Sequence, residues 1–406
     1  MFAVQVLFYK ILMLALKVAV KFISQPQPII FSGKNSALEL TQLMINQDIK
    51  RVLIVTDSVL HKLGVADKVC QLLAENNVEF VIFDQVTPDP SEQVVEQGVS
   101  QAVSLQCDAV LGLGGGSSLD SAKMIAVLAK SRQSVKAVAG LLKIKQLGLP
   151  LFLLPTTSGT GSEVTMAAVI TDSGHQAKSL VISPKMMPIA TALDPILMQG
   201  MPAKITADTG FDALTHAIES YLSTHANEQT DLYALTAIKL IFKQLPIAYQ
   251  HGDNLAARQS MALASCYAGL AFTKAGLGYV HAISHQIGAK YHSPHGLTNS
   301  VVLPLVLKFN VKVSEQRLAF LAQAIGLDTS ALTKAQSAML FIDEVKALQR
   351  KVDIATTLAC IQREDIDMLA KNSLKEAHYL YPVPKYLTLS QCQQLITQLM
   401  TTKANT

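Results

Sequence analysis

The chain has 406 residues, half of them hydrophobic, so it is long enough for two domains with a large buried core. Its net charge of +4 is spread without a dense basic run, aromatic residues make up 6% and tryptophan is absent, which argues against a nucleic-acid-binding surface. The five cysteines include no C-x-x-C pair, which indicates reduced thiols in a cytoplasm and leaves any metal to histidines and carboxylates. Small molecules are the expected partners.

Residues 1–24 are predicted to form an amphipathic helical extension. Lys10, Lys17 and Lys21 interrupt its apolar run on one helical face, so no span reaches the roughly 18 apolar residues of a membrane-crossing helix. The charges come too late for a signal peptide. Two interpretations remain: a peripheral membrane contact through residues 1–22, or a helix that packs against the body or a second subunit. We expect a cytoplasmic homodimer.

Short β-rich runs alternate with helical stretches between residues 29 and 195, which predicts a parallel sheet with crossover helices. The runs are RVLIVT at 51–56, EFVIF at 79–83, AVLGL at 109–113 and LFLLP at 151–155. After Pro195 the pattern changes to long helical stretches with almost no strand signal. We therefore predict an α/β domain at 25–195 and an all-helical domain at 196–406, with a ligand site in the cleft between them.

A first glycine-rich loop, GLGGGSSLDSAK, follows the strand AVLGL and opens a helix. Gly114, Gly115 and Gly116 allow the backbone to approach a ligand, and the free N–H groups at the helix start favour a pyrophosphate. The same residues also fit a tight turn in which Ser117 is the N-cap and Asp120, three residues on, completes a capping box. The G-x-G-x-x-S spacing matches the dinucleotide fingerprint only loosely, so residue types alone leave both alternatives open.

A second loop, LLPTTSGTGSEVT at 153–165, follows another strand and is rich in glycine and hydroxyl groups. Its threonines either donate hydrogen bonds to phosphate, ribose or amide groups or belong to a polar surface turn. They are Thr156, Thr157, Thr160 and Thr165. Asp57 closes the strand RVLIVTD, where it would accept a ribose 2′-hydroxyl and repel a 2′-phosphate, or cap the next helix. Two such loops favour a Rossmann-like dinucleotide-binding domain at 25–195.

Four histidines lie within LGYVHAISHQIGAKYHSPHG at 277–296. His281 and His285 are four residues apart and would share a helical face, whereas the Ser-Pro pair before His295 should end that helix and start another. A zinc protease would need a glutamate beside its first histidine, and Ala282 stands there instead. A protease is therefore a poor fit, and further ligands must come from elsewhere in the chain.

Upstream, GFDALTHAIES places Asp212 and His216 four residues apart on one predicted helix. A carboxylate and an imidazole on one helix, together with two imidazoles from another segment, form a nitrogen and oxygen site suited to Fe(II) or Zn(II). Taken alone, D-x-x-x-H is more often an ordinary polar pair. Its combination with the histidine-rich segment makes 196–406 the predicted metal-binding and substrate domain.

The motifs GGGSSLDSAK, TTSGTGSEVT, DTGFDALTHAIES and VHAISHQIGAKYHSPHG resemble those of the iron-containing, group III alcohol dehydrogenases, in that family's order and approximate spacing. The resemblance covers roughly residues 27 to 400. It implies that the metal ligands are Asp212, His216, His281 and His295. His285 is then a non-ligand histidine near the nicotinamide and our candidate for relaying the proton, while His292 has no implied role.

The same resemblance implies NAD and Fe²⁺ as cofactors, with Zn²⁺ as the alternative metal, and Asp57 favouring NAD over NADP. The implied dinucleotide contacts are Gly115, Gly116, Ser117, Thr156, Thr157, Thr165 and Lys178. Gly114, Asp120 and Thr160 join these candidates because of their places in the two loops.

The implied reaction is hydride transfer between an alcohol and NAD, which interconverts the alcohol with an aldehyde or ketone. Two alternatives within the superfamily are a hydroxyacid-oxoacid transhydrogenase and a glycerol or diol dehydrogenase. A dehydroquinate synthase-like lyase would need basic groups for a substrate phosphate, and the metal helices carry small or hydroxyl side chains instead. A non-enzymatic metal-binding protein would leave the two loops without a function.

Overall fold

A computed structural model describes residues 2–20, 26–172 and 177–401, and the chain divides into two compact units. The first, here called the sheet unit, comprises Ser24–Met201 and Gly252–Cys266. The second, the helical unit, comprises Met1–Ile23, Pro202–His251 and Tyr267–Thr406.

This division differs from the predicted linear one in the segment Gly252–Cys266, which belongs to the sheet unit. The buried Arg258 side chain explains the difference, because its guanidinium donates to the carbonyl oxygens of Gly252 and Met201, each at 2.9 Å. Nearby, Gln259 Nε2 donates to Ser32 Oγ at 2.8 Å. The bonds to Met201 and Ser32 span 57 and 227 residues, and a boundary drawn from helix and strand patterns cannot anticipate them.

The sheet unit is built on a six-stranded parallel sheet in the order β1-β9-β6-β4-β2-β3. Three further strands form a small sheet in the order β5-β8-β7. The four strand runs predicted from the sequence are confirmed as β2, β3, β4 and β6. The strands are β1 (Ile29–Ser32), β2 (Arg51–Val55), β3 (Glu79–Phe83), β4 (Ala109–Gly114), β5 (Gly140–Leu141), β6 (Leu151–Pro155), β7 (Ala167–Asp172), β8 (Ala177–Ile182) and β9 (Ala190–Leu193).

Helices cover both faces of the parallel sheet, because alternate residues of each buried strand point to opposite sides. Val52 and Ile54 of β2 pack into a core with α2 and α4, whereas Leu53 and Val55 pack into a core with α5 and α6. The predicted α/β architecture is thereby confirmed. The helices of this unit are α2 (Ser36–Asn46), α3 (Ser58–Lys62), α4 (Asp67–Glu75), α5 (Glu92–Ser104), α6 (Gly116–Ser131) and α7 (Val135–Val138).

The strand order brings the candidate nucleotide residues to one edge of the sheet. Strands β2, β4 and β6 are parallel neighbours, so their carboxyl ends lie side by side. Asp57 follows β2, the first glycine loop follows β4 and the second loop follows β6. The chain moves from β2 to β3 on one side and then crosses back to β4 on the other, and such reversals are where α/β sheets bind ligands.

The helical unit has no strand among its described residues, as predicted. Within it α8 packs against α9 and α12, and α11 packs against α12 and α14. The predicted break at the Ser-Pro pair is confirmed, since α11 ends at Tyr291, His292 has a left-handed φ of 55°, and α12 starts at His295. The helices are α1 (Phe2–Val20), α8 (Ala203–Leu222), α9 (Glu228–Gln250), α10 (Leu255–Ala275, which starts in the sheet unit), α11 (Tyr279–Tyr291), α12 (His295–Ala324), α13 (Lys334–Lys351), α14 (Ile366–Leu380) and α15 (Leu389–Leu399).

Helix α1 packs on the body of the helical unit. The Tyr9 ring stacks on Tyr386 with a centroid distance of 5.6 Å, and the Met13 carbonyl accepts a hydrogen bond from His225 Nε2 at 3.1 Å. Of the helices that the structure describes, none has both the length and the apolar character to cross a membrane. Lys21 and the rest of the predicted extension after residue 20 lie outside the described residues, as does Met1.

Candidate metal centre and cofactor loops

Three helices of the helical unit each bring two polar side chains, four residues apart, to one cluster. The N-terminal turn of α12 lies so close to α8 that a Cβ atom at Gly296 would collide with the carbonyl oxygen of Asp208. The pairs are Asp212 and His216 on α8, His281 and His285 on α11, and His295 and Asn299 on α12.

Three of the predicted ligands surround the fourth, the Asp212 carboxylate. Asp212 Oδ1 lies 3.4 Å from His295 Nε2, 3.8 Å from His281 Nε2 and 3.9 Å from His216 Nε2. Asp212, His216 and His281 are buried, and one ligand atom from each lies within 4.8 Å of the other two. His295 is the accessible member, with 33% of its side chain exposed. One carboxylate oxygen and three imidazole nitrogens are a donor set that suits Fe²⁺ or Zn²⁺.

The cluster holds its carboxylate ionised and one of its histidines protonated. Burial alone would raise the pKa of Asp212, but the neighbouring His216 and His295 rings outweigh burial and hold that pKa well below its ordinary value. Burial alone would lower the pKa of His281, but hydrogen bonds to Asp212 and Glu219 raise it to about 9. A cation that binds His281 must therefore displace a proton, so its affinity depends on pH.

Glu219 fixes the orientation of the His281 ring, and sequence reasoning missed it. Its carboxylate accepts hydrogen bonds from the His281 ring at Nδ1 (2.6 Å) and from the backbone N–H groups of Gly278 (2.9 Å) and Val280 (2.7 Å). With Nδ1 donating to the carboxylate, His281 Nε2 is the nitrogen that faces Asp212. Such carboxylate partners set the tautomer of metal-binding histidines. The only sequence signal was an acid three residues after His216 on the same helix.

Asn299 marks the point on which the ligand atoms converge. Its Nδ2 atom lies 2.7 Å from Asp212 Oδ1, 3.1 Å from His295 Nε2 and 3.2 Å from His281 Nε2. Nδ2 has only two N–H groups for these three atoms, and a protonated His281 Nε2 is itself a donor that cannot accept from it. The buried Asn299 Oδ1 has no hydrogen-bond partner among the described residues. This geometry fits a cation site better than a self-contained polar network, because the network leaves polar atoms unsatisfied.

His285 has different partners from its neighbours. Its Nδ1 donates to Glu376 Oε1 at 2.6 Å, and its ring stacks on His295 at 5.3 Å with an interplanar angle of 15°. The Glu376 carboxylate also accepts from Gln286 Nε2 at 2.8 Å and from the Tyr381 hydroxyl at 2.6 Å. Burial works against ionisation of Glu376, but His285 and these donors hold its pKa below the ordinary value. Glu376, like Glu219, was not among the residues predicted from the sequence.

Helix α6 starts two residues earlier than it would with Ser117 as its N-cap. The N-cap is Gly115, the helix begins at Gly116, and Ser117 lies inside it, so the capping-box alternative for Ser117 is wrong. Gly114 has a φ of 151°, which favours glycine. A Cβ atom at Gly116 would lie 2.7 Å from Thr160 Cγ2, so the two loops meet closely there. The free N–H groups of α6 thus begin beside the second loop.

The other loop residues differ in burial and in hydrogen bonding. Thr156 is buried, whereas Thr157 and Thr160 are half-buried and lie against the glycines of the first loop. Asp120 Oδ1 accepts from Ser162 Oγ at 2.6 Å, and Thr165 Oγ1 accepts from the buried Lys123 Nζ at 3.0 Å. These bonds tie the loops together, and a cofactor contact of Asp120 or Thr165 stays a prediction.

Asp57 is the N-cap of α3. Its Oδ1 accepts the backbone N–H groups of Val59 and Leu60, each at 2.9 Å, so the capping role considered for it is observed. Both hydrogen bonds end on the same carboxylate oxygen of Asp57. The selection of NAD over NADP by Asp57 stays a prediction. The side chain of Lys178 on β8 lies outside the described residues, so its predicted contact is likewise open.

Comparison with known proteins identifies the family of both halves of the chain. Residues 26–195 match the family model for iron-containing alcohol dehydrogenase, and residues 206–400 match the C-terminal model of the Fe-containing alcohol dehydrogenase family. The two matches together span nearly all of the described residues. They are separate observations, because each half of the chain is recognised by its own model.

Full-length relatives agree with the family models. The chain is 37% identical over 366 residues to an NAD-dependent methanol dehydrogenase of Bacillus methanolicus, covering 90% of this chain and 96% of the relative. It is 37% identical over 333 residues to a 1,3-propanediol dehydrogenase of Citrobacter freundii, covering 81% and 86%. A crystal structure of 1,3-propanediol oxidoreductase superposes with a TM-score of 0.90 at 34% identity, covering 93% of this chain and all of that one. The predicted enzyme class, an NAD-dependent alcohol dehydrogenase, is thereby confirmed, and the chain belongs to the iron-containing alcohol dehydrogenase family.

Proposed function

We propose that this enzyme oxidises a small primary alcohol or diol with NAD and reduces the corresponding aldehyde in the reverse direction. The convergence of Asp212 with three histidines from three helices carries the proposal. The names of the methanol and 1,3-propanediol dehydrogenases support the small substrate. A glycerol dehydrogenase would differ only in substrate, and a hydroxyacid-oxoacid transhydrogenase would also keep its cofactor bound and pass the hydride to an oxoacid. The lyase and the non-enzymatic alternatives have no support from these relatives.

The metal in this proposal is Fe²⁺, with Zn²⁺ as the alternative. Its ligands are Asp212, His216, His281 and His295. When bound, the metal would polarise the alcohol oxygen as a Lewis acid while NAD accepts the hydride. The protein contributes a charged Asp212, which offsets the cation's charge, and a Glu219 that keeps His281 Nε2 directed at the site. The exposed part of His295 is the side from which a substrate would approach.

His285 takes the alcohol proton in this proposal. Glu376 accepts the hydrogen bond from His285 Nδ1, which leaves Nε2 as the nitrogen that exchanges a proton. The ionised Glu376 carboxylate also stabilises the imidazolium that forms when the proton arrives. With 26% of its side chain exposed, His285 can pass the proton on to solvent, whereas the buried His216 and His281 cannot.

The dinucleotide in this proposal binds at the carboxyl edge of β2, β4 and β6. Its pyrophosphate would sit at the start of α6, beside Gly114, Gly115, Gly116 and Ser117. Thr156, Thr157 and Thr160 of the second loop would add hydroxyl contacts, and Asp57 would take the adenosine ribose. The close approach of Gly116 to Thr160 supports a single shared site for both loops.

Replacing Asp57 by Asn should narrow the preference for NAD over NADP by about tenfold, because like-charge repulsion of the 2′-phosphate disappears. Asparagine is also a good N-cap, so the bonds to Val59 and Leu60 should survive. The measurement is the ratio of kcat/KM for the two cofactors, with the melting temperature as the control. An unchanged ratio in Asp57→Asn would show that Asp57 serves only as a helix cap.

Replacing Glu219 by Gln should weaken metal binding roughly 10- to 100-fold when compared above pH 9, where protons no longer compete for His281. Because His281 has a raised pKa, the apparent affinity of the wild type should increase with pH up to about 9. The plateau in Glu219→Gln should begin at a lower pH, since one of the groups that raises the His281 pKa is gone. Chelator-buffered metal titrations across pH measure both effects, and identical curves for the two proteins would contradict the role of Glu219.

A substrate screen tests the proposed function as a whole. Protein loaded with Fe²⁺ or Zn²⁺ is incubated with short alcohols, diols, glycerol and hydroxyacids while NADH absorbance is followed. We expect NADH formation with small primary alcohols or diols. Conversion of a hydroxyacid that requires an added oxoacid, with no free NADH formed, would favour the transhydrogenase. No turnover with any alcohol or aldehyde would contradict the proposal.

We also propose that the enzyme is a cytoplasmic homodimer with a peripheral membrane contact through residues 1–22. Five free cysteines support the reducing compartment. The edge strand β1 supports the dimer, because among the described strands it pairs only with β9, so a second copy could extend the sheet there, and its Ile29 and Ile30 are 52% and 37% exposed. Sedimentation equilibrium should give twice the chain mass of 43.8 kDa.

A further inference from the structure

The outer face of α1 is an apolar stripe that runs the length of the helix. Its residues are three or four positions apart, so they lie along one side of the helix. The exposed fractions are 71% for Val4, 59% for Leu7, 58% for Ile11, 62% for Leu14 and 49% for Val18. Phe8 widens the stripe with a 55% exposed ring. Scattered apolar residues on a surface are ordinary, but a continuous stripe of this kind marks a contact surface.

Contacts between the other side of α1 and the body of the helical unit keep the stripe facing solvent. Tyr9 and Met13, four residues apart, lie on the opposite side and pack on the body, and Lys17 contacts the body from the border of the stripe. Tyr9 stacks on Tyr386, Met13 is 4% exposed, and Lys17 Nζ donates to the Thr224 carbonyl at 3.1 Å. The helix cannot roll its apolar side inward without losing all three contacts.

The charged residues of α1 are all lysines. Lys10 and Lys17 lie along one border of the stripe, and Phe2–Val20 contains no acidic residue. Tyr379 and Leu380 of α14 are 45% and 55% exposed, and the Tyr379 ring centroid lies 6.5 Å from that of Phe8, so they extend the apolar surface. Lys375, one turn before Tyr379 on α14, is exposed on the same side of that helix.

We propose that α1 binds the surface of a lipid bilayer that carries anionic headgroups, with the stripe in the acyl boundary and the lysine amines at headgroup level. An interfacial helix has this pattern of one apolar face bordered by lysines, whose long stems let the charge reach the headgroups. Anionic lipids complement the exposed Lys10 and Lys375, for which α1 itself offers no acidic partner, whereas the Lys17 amine is bonded to the Thr224 carbonyl.

A second copy of the chain fits the stripe less well. The alternation of three and four residues, with Val4, Ile11 and Val18 in one row and Leu7 and Leu14 in the other, also suits a two-stranded coiled coil. However, a helix of 19 residues offers a stripe of only about 300 Å², against roughly 800 Å² per partner in a stable interface. The lysine border would also face the apolar Ala15 or Phe8 side of the other helix and find no acid there.

Vesicle co-sedimentation of the full-length enzyme tests the proposal. Wild type should bind vesicles of phosphatidylcholine with phosphatidylglycerol at least tenfold more strongly than pure phosphatidylcholine vesicles. The double variant Leu7→Glu/Leu14→Glu should lose this binding and keep wild-type alcohol turnover. The matched control Leu232→Glu/Val313→Glu changes two leucine or valine side chains of similar exposure elsewhere on the helical unit and should bind like wild type.

Charge-reversal variants measure the electrostatic contribution to vesicle binding. Lys10→Glu should weaken binding to the anionic vesicles about tenfold, whereas Lys334→Glu, which changes the net charge equally, should not. The proposal is overturned if wild type ignores anionic vesicles, or if both double variants lose binding alike. It is also overturned if Leu7→Glu/Leu14→Glu lowers the mass of the vesicle-free protein, since α1 would then join two copies. None of these outcomes depends on the metal or on NAD, so they leave the proposed reaction untouched.

Discussion

The His281→Ala variant should lose stoichiometric metal and, with it, nearly all alcohol oxidation. His281 is one of four converging ligands, and its Nε2 lies 3.8 Å from Asp212 Oδ1 in the buried part of the cluster. Its removal leaves an incomplete donor set and takes away one of the three hydrogen-bond donors to the buried Glu219 carboxylate. Metal content per chain by elemental analysis and kcat for the best alcohol of the screen are the two measurements. We expect the metal to fall below a tenth of the wild-type content.

His292→Ala is the matched control, because it removes a histidine from the same segment that the structure places outside the cluster. His292 is exposed at the end of α11. This variant should keep its metal and its turnover. Circular dichroism should show both variants folded. Metal content that is unchanged in His281→Ala, or lost equally in His292→Ala, would refute the ligand assignment.

Strands β2, β4 and β6 were predictable because they are buried on both faces, which makes each a short continuous apolar run, and β3 has the same apolar pattern although it is only partly buried. All four predicted runs became strands with ends shifted by a residue at most, as in β4, which ends at Gly114. The start of α6 was predicted less well. A serine looks like a better cap than a glycine, but Gly115 takes that place because the backbone must reach across to the second loop.

The site was predictable where its residues share a helix and missed where they meet across helices. Spacings of four residues placed Asp212 with His216 and His281 with His285. The same reasoning could not find Glu219 for His281, 62 residues away, or Glu376 for His285, 91 residues away. Those contacts depend on how α8, α11 and α14 pack against one another, and a single sequence carries no record of that packing.

The His285→Ala variant should keep its metal and bind NAD almost as well as wild type, while kcat falls about 100-fold or more, the range typical of a lost acid-base group. The separation is expected because His285 donates through Nδ1 to Glu376, whereas the Nε2 atoms of the three ligand histidines lie 3.4 to 3.9 Å from Asp212 Oδ1. If His285 only packs against the His295 ring, the variant should instead melt at a lower temperature with kcat preserved. Metal loss in this variant would move His285 into the ligand set.

Glu376 supplies the sharper form of this test, because it acts on the reaction only through His285. Glu376→Gln keeps the size of the side chain and an acceptor for Nδ1 but removes the charge that stabilises the imidazolium, so kcat should fall by less than in His285→Ala. The double variant should then be no slower than His285→Ala alone, since a residue that works through a partner has no effect once the partner is gone. The pH dependence of kcat should flatten in every variant that lacks His285. Losses that simply multiply in the double variant would show that the two residues act independently, and the proton would then need another route, with the Tyr381 hydroxyl, 2.6 Å from Glu376, as the nearest candidate.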